Sequence, residues 1–165
     1  MAVLETEIYN NVIEVGKKAV AALQSNDLEN FEQYAEQGWQ KFPEPRENWN
    51  QAYNYAKMVF NGAFKNGRFE TVKIWLNRMI ANNNNLHNFD GEIEFFIGIY
   101  KFEVGLYEEA LEYFMIATRE GGGVRYFENQ DKKYREFYKN PEKTKAGLTR
   151  EKNKTEVKEK YEFIE

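Results

Sequence analysis

The sequence predicts an all-α protein built as a stack of antiparallel helix hairpins, and three observations predict it. Apolar residues recur at helical spacing along most of the 165-residue chain. Small or polar residues break the periodic stretches into halves. The breaks themselves fall at nearly regular intervals.

The first hairpin spans residues 7–42 and breaks at Ser25-Asn26-Asp27. Val12, Val15, Ala19, Ala22 and Leu23 form a stripe before the break; Leu28, Phe31, Tyr34, Ala35 and Trp39 form one after it. Asn26 followed by Glu29 suits a cap for the free amides of the second helix. The second hairpin spans 50–81 with a break at Asn66-Gly67, after which Phe69, Val72, Leu76, Met79 and Ile80 repeat the pattern. The third spans 91–120 and breaks at Gly105, followed by Tyr107, Ala110, Leu111, Phe114 and Ala117. Pro43-Glu44-Pro45 and the tract Asn82 to Asn85 read as connectors, because proline lacks an amide donor and asparagine side chains compete for backbone bonds. A short helix over 131–139 ends at Pro141. The sequence thus divides into a helical-repeat domain over 1–140 and a charged segment over 141–165, in which Val157, Tyr161 and Ile164 mark a sparse stripe suited to a capping helix.

Composition narrows the function. The aromatic content of 16% supplies enough bulky side chains to pack many helix faces. With no cysteine, disulfides, thiol nucleophiles and zinc knuckles are ruled out. The 23 Lys and Arg against 27 Asp and Glu leave a net charge of -4, which disfavours phosphate backbones, so nucleic acid is not an expected ligand. The acidic start lacks the basic flank and apolar run of an export signal, and the longest apolar candidate, near Phe95 to Val104, is broken by Gly98, Lys101 and Glu103. A cytoplasmic protein with no membrane partner is expected.

Alignment of the breaks shows Leu28, Phe69 and Tyr107 two residues past Asn26, Gly67 and Gly105, which lie 41 and then 38 residues apart. The third unit, with Ile97-Gly98, Gly105-Leu106-Tyr107-Glu108-Glu109-Ala110, Phe114 and Ala117, resembles a tetratricopeptide repeat. Pro43 stands where that repeat places its terminating proline. The resemblance covers residues 8–120. It departs from the family in Lys101 at the usual tyrosine, in the missing early aromatic, and in spacings above the family's ~34 residues. It implies a right-handed superhelix of hairpins acting as a protein-binding module, with no catalysis and no cofactor.

On that resemblance, Asn54, Lys57, Asn61, Phe64 and Lys65 share the concave face of the second unit. Lys57 and Asn61 are similar to part of the clamp by which some tetratricopeptide domains hold a peptide carboxylate. The third unit offers Glu92, Phe95, Ile99, Phe102 and Glu103 there, a stripe that also reads as core. The segment 121–138, with Arg125-Tyr126-Phe127-Glu128 and Phe137-Tyr138, is similar to the C-terminal parts of bacterial helical-repeat proteins that act as immunity partners of polymorphic toxins. A toxin domain is therefore the favoured partner, contacted through Asn54, Lys57, Asn61, Lys65, Phe95, Phe102, Arg125 and Tyr126; a peptide-binding adaptor or chaperone is the alternative.

Catalytic readings are weaker. His87 is the only histidine and cannot build a metal cluster or a triad alone. Glu108 with Glu109 reads as a solvated helix face. Gly121-Gly122-Gly123 reads as a helix stop rather than a phosphate loop, and Asn153-Lys154-Thr155 as a chance match to a glycosylation acceptor. A hydrolase or transferase built on Asp90, Glu92 and tyrosines is the remote rival.

Overall fold

A computed structural model of the chain describes residues 3–86, 91–120, 124–143 and 160–165. Among them are seven α-helices and no strand: α1 (Thr6–Gln24), α2 (Leu28–Trp39), α3 (Asn50–Lys65), α4 (Phe69–Leu86), α5 (Glu92–Glu103), α6 (Tyr107–Glu120) and α7 (Lys132–Lys139). Consecutive helices pack as three hairpins, α1 with α2, α3 with α4 and α5 with α6. The chain forms two compact units, one of residues 1–87 with 161–165 and one of residues 88–160. His87, Asp90, Gly121 to Gly123, Asn153 to Thr155 and Val157 lie outside the described residues.

All three hairpins turn in the same way. Asn26, Gly67 and Gly105 have φ of 58°, 66° and 84°, the left-handed region that a side chain other than that of asparagine or aspartate enters at a cost. At each turn two amides satisfy the carbonyls that the ending helix leaves open. Asp27 N–H donates to Ala22 O and Asn26 N–H to Leu23 O; Arg68 to Ala63 and Gly67 to Phe64; Leu106 to Lys101 and Gly105 to Phe102. This is the Schellman pairing, a bond from the residue after the left-handed one to a carbonyl five residues back, enclosing a second bond to a carbonyl three back. The next helix begins at once, since Asp27, Arg68 and Leu106 carbonyls already accept from Phe31, Val72 and Ala110.

The turn corrects the cap expected in the first hairpin. Asn26 is committed to the left-handed position, and the capping side chain is that of Asp27, whose carboxylate accepts from Asn30 N–H at 3.2 Å. The asparagine tract is a second correction. Asn82 to Asn85 are not connectors but the last turns of α4, which continues to Leu86. Their side chains turn away from their own helix: Asn82 Nδ2 donates to Trp49 O at 2.8 Å, and Asn85 Nδ2 to Glu47 O and Asn48 Oδ1. These bonds tie the loop between α2 and α3 to α4 and offset the low helix propensity of asparagine, about 0.5 kcal/mol per residue.

In the first unit, Phe42, Trp39, Tyr55 and Trp75 from α2 and its following turn, α3 and α4 form a ring cluster with centroids 5.5–5.9 Å apart. The Arg78 guanidinium lies 4.2 Å from the Trp75 ring and 4.9 Å from that of Trp39, and donates to Glu36 at 2.7 Å. In the second unit Phe95, Phe114 and Phe127 pack at 5.0–5.5 Å, and Phe102 meets Tyr107, Tyr134 and Phe137 at 5.1–5.3 Å, so α7 closes onto the third hairpin. Lys101, the departure from the repeat pattern, pairs across the hairpin with Glu109 at 2.8 Å. Gly98 admits the Phe114 ring: a Cβ there would stand 2.7 Å from Phe114 Cδ1. Tyr161 and Ile164 belong to a non-helical segment within the first unit rather than to a further helix.

Stability measurements by chemical denaturation on four variants check this account. Gly67→Ala, which meets no neighbour, is expected to cost about 1 kcal/mol through backbone strain alone. Asn26→Gly, at the equivalent position, leaves stability unchanged or raises it. Gly98→Ala is expected to cost about 1–3 kcal/mol by overpacking, and adding Phe114→Leu should recover part of that loss; strictly additive losses would mean that the ring contact is not the cause.

Candidate functional site

Asn54, Lys57, Asn61 and Lys65 lie on α3 at separations of three, four and four residues, which places them along one face. Asn54 and Lys65 are exposed, and Lys57 and Asn61 are half-buried. The Lys57 ammonium sits 5.8 Å from the centroid of the Tyr53 ring. Phe64, on the same helix, is stacked on Phe60 at 5.6 Å and meets Phe69 edge-on, so it serves the packing of α3 on α4.

Beside this face runs a groove between α1 and α3, of about 360 Å3, lined chiefly by Tyr9, Ile13, Gly16, Val20, Asn54 and Met58. Its floor is Tyr55, whose ring comes so near to α1 that a Cβ on Gly16 would stand 3.2 Å from Tyr55 Cε2. The Tyr55 hydroxyl donates to Ala35 O at 3.0 Å. Burial, then the nearby Glu36 carboxylate, raise its pKa above the usual phenol range, so it stays a protonated donor at any physiological pH. Lys17 lines the groove too, with its ammonium 2.8 Å from Glu14. Of the α3 residues that the sequence singles out, Asn54 alone lines this groove, and its α1 side was not among the expected contacts. Tyr9, Ile13, Gly16 and Val20 follow at separations of four, three and four residues, a second stripe beside the core stripe of Val12, Ala19 and Ala22, and that spacing was the available signal.

The other expected contact residues belong to the second unit. Phe95 is 2% exposed and enclosed by Phe114, Tyr126 and Phe127, so it is a core residue rather than a contact, a correction that follows from its position in the middle of the buried stretch Ile93 to Tyr100. Phe102 is half-buried and borders a separate cleft of about 430 Å3 with Lys133, Glu136, Phe137, Asn140 and Lys143. Glu103 binds both sides of this region, accepting from Tyr134 Oη at 2.7 Å and pairing with Lys133 at 2.6 Å. Burial, reinforced by the Glu103 carboxylate, raises the Tyr134 pKa. Arg125 is exposed, lies 5.0 Å over the Tyr126 ring and donates to its hydroxyl at 3.0 Å. The eight expected contact residues thus divide between two units, four on α3 and four in the second unit.

For the carboxylate site, Glu92 is half-buried in the first turn of α5, while Asp90 lies outside the described residues. Among the described residues no group of three or more histidine, aspartate or glutamate side chains is arranged to hold a metal ion. No helix among them is long and apolar enough to cross a membrane.

Across α2 and α4, Glu32 accepts from Arg68 at 2.7 and 2.8 Å and from Thr71 at 2.6 Å. The Arg68 hydrogen bond holds the Glu32 carboxyl below its ordinary value of 4.5, against a partial opposing effect of burial. A depressed folded-state pKa contributes stability that is present above the unfolded value and lost as pH falls through the folded one. The melting temperature of the native chain is therefore expected to fall more steeply between neutral pH and pH ~3 than that of Glu32→Gln; parallel curves would remove Glu32 as a contributor.

Comparison with models of protein families, with curated proteins and with solved structures gives no match to this chain.

Proposed function

We propose that this chain is a protein-binding module that seats an apolar segment of another protein in the groove between α1 and α3. The observation that supports this reading is the groove itself, a row of half-buried Tyr9, Ile13, Val20 and Met58 side chains with Asn54 among its lining residues. Apolar side chains left at the surface along a concavity gain from a partner that removes them from water, at ~25 cal/mol per Å2 of apolar area.

The specific form we propose is neutralisation of a toxin domain, the partner class suggested by the likeness of residues 121–138 to immunity proteins. General peptide capture by an adaptor is the second form, and the clamp-like pair Lys57 and Asn61, one turn apart on α3, favours it. Both are binding functions, and the partner distinguishes them.

Co-expression of the chain with the product of the neighbouring gene provides the test, read by co-purification and by growth of the host. A complex that relieves toxicity is the expected result. Ile13→Glu with Met58→Glu should weaken that complex by roughly 100-fold or more, since each change places a charge in an apolar contact. An unchanged complex in a variant that keeps its helical circular dichroism would remove the groove as the binding face.

A further inference from the structure

The segment Tyr161–Glu165 runs along α4 without helical structure and is held there by two asparagines. Asn77 Nδ2 donates to Ile164 O at 2.9 Å, while its Oδ1 accepts from Ile164 N–H at 2.7 Å. Asn84 repeats the arrangement at Tyr161, donating to its carbonyl at 2.8 Å and accepting from its N–H at 2.9 Å. Each carboxamide thereby satisfies both main-chain groups of one residue, as a neighbouring β-strand would. No side chain of the segment takes part in these four bonds, so the pairing itself reads main chain rather than side chains.

The spacing of the two rungs fits an extended chain. Seven residues along a helix rise about 10.5 Å, and an extended chain of threefold period, such as polyproline II, turns the same side to the helix every three residues, about 9 Å, whereas residues three apart in a β-strand face opposite ways. A helix with asparagine at positions i and i+7 therefore meets residues j and j+3 of an extended segment, and Asn77 with Ile164 and Asn84 with Tyr161 are those pairs. The segment runs antiparallel to α4. Its selectivity lies in the side chains that enter at the rungs: Tyr161 and Ile164 are 4% and 8% exposed, whereas Glu162, Phe163 and Glu165 face solvent. The same helix stripe continues one turn before Asn77 to Ile74, which is 51% exposed and offers apolar surface to a chain reaching beyond the Ile164 position.

We propose that this face of α4 is a binding site for an extended segment of another protein bearing an aromatic residue and, three positions later, a branched aliphatic one, and that Tyr161–Glu165 occupies it as an intramolecular competitor. Main-chain pairing supplies affinity and the two apolar positions supply choice, the division of labour found where a peptide is added to a sheet edge. Because the competitor is covalently attached, an incoming segment gains access only by binding α4 better or by drawing Tyr161–Glu165 away. The site is on α4, not in the α1–α3 groove, and does not depend on that groove having a partner.

The test uses the full chain and a fluorescein-labelled, amidated synthetic peptide with the sequence of residues 160–165, read by fluorescence anisotropy. The double variant Tyr161→Ser with Ile164→Ser removes the competitor's two apolar anchors and so weakens its hold on the site, and is expected to bind the peptide at least about tenfold more tightly than the native chain. Adding Asn77→Ala and Asn84→Ala should abolish that gain, and a peptide with serine at the tyrosine and isoleucine positions should not bind. Absence of saturable binding to a serine variant that keeps its helical circular dichroism would overturn the proposal, as would equal binding with and without the asparagines. If the serine variant unfolds, the side-chain amide resonances of Asn77 and Asn84 in the native chain serve instead: shifts on titration with the peptide support the site, and unmoved resonances at millimolar peptide reject it. A native dimer that becomes monomeric when Tyr161 and Ile164 are replaced would assign the face to the segment of a second copy, and would also overturn the intramolecular arrangement.

Discussion

A single left-handed residue at the end of the first helix of each pair reverses the chain and lets the second helix begin without a connecting loop. The constraint is local. Two inward-donating amides close the ending helix, and the next carbonyl already opens the following one, so the two axes return side by side within a few residues. The core depends on this economy of length. With the helices antiparallel and adjacent, stripes such as Ala19, Ala22 and Phe31, Ala35 face one another, and close approach is possible where Gly98 takes the Phe114 ring against the helix.

Around these hairpins the second helix of the middle pair works as a fastening rail. Asparagine is a poor helix former because its amide competes for nearby backbone, yet α4 carries Asn77, Asn82, Asn84 and Asn85 without loss of helical structure. The competition is resolved by giving each amide a main-chain partner elsewhere in the first unit. Asn82 and Asn85 hold the loop before α3, while Asn77 and Asn84, on a neighbouring stripe, hold Tyr161–Glu165. The helix thus organises two segments that have no regular structure of their own.

The two binding surfaces proposed for the first unit differ in their physics. In the α1–α3 groove the contact is apolar, and choice comes from the shape and depth of the concavity over Tyr55. On α4 it is the backbone that is recognised, and choice comes from what enters beside each asparagine. The Arg78 cluster with Trp39 and Trp75 stiffens the helices that carry them, because a guanidinium held between two indoles and a carboxylate has little freedom left.

Much of the architecture is encoded within short stretches of chain. The helix periods, the three turn residues at their aligned positions and the short helix before Pro141 are properties of neighbours in sequence, because hydrogen bonds that span three to five residues and stripes that repeat every three or four decide them. At the groove the sequence singles out only Asn54, while the α1 face was concealed among residues that equally suit a core. What the sequence could not reveal were interactions between distant positions. Asn82 to Asn85 look like a break until their partners, 33 to 77 residues away, are in place, and Tyr161 and Ile164 suggest a helix stripe until Asn77, 87 residues before Ile164, takes its backbone. Phe95 could be assigned to core rather than contact only once Phe114, Tyr126 and Phe127 surrounded it. Local sequence determined where this chain turns and which residues form its helices; the tertiary structure alone decided which asparagines bind main chain and which apolar stripe stays open, since burial and pairing depend on neighbours that the chain brings together only by folding.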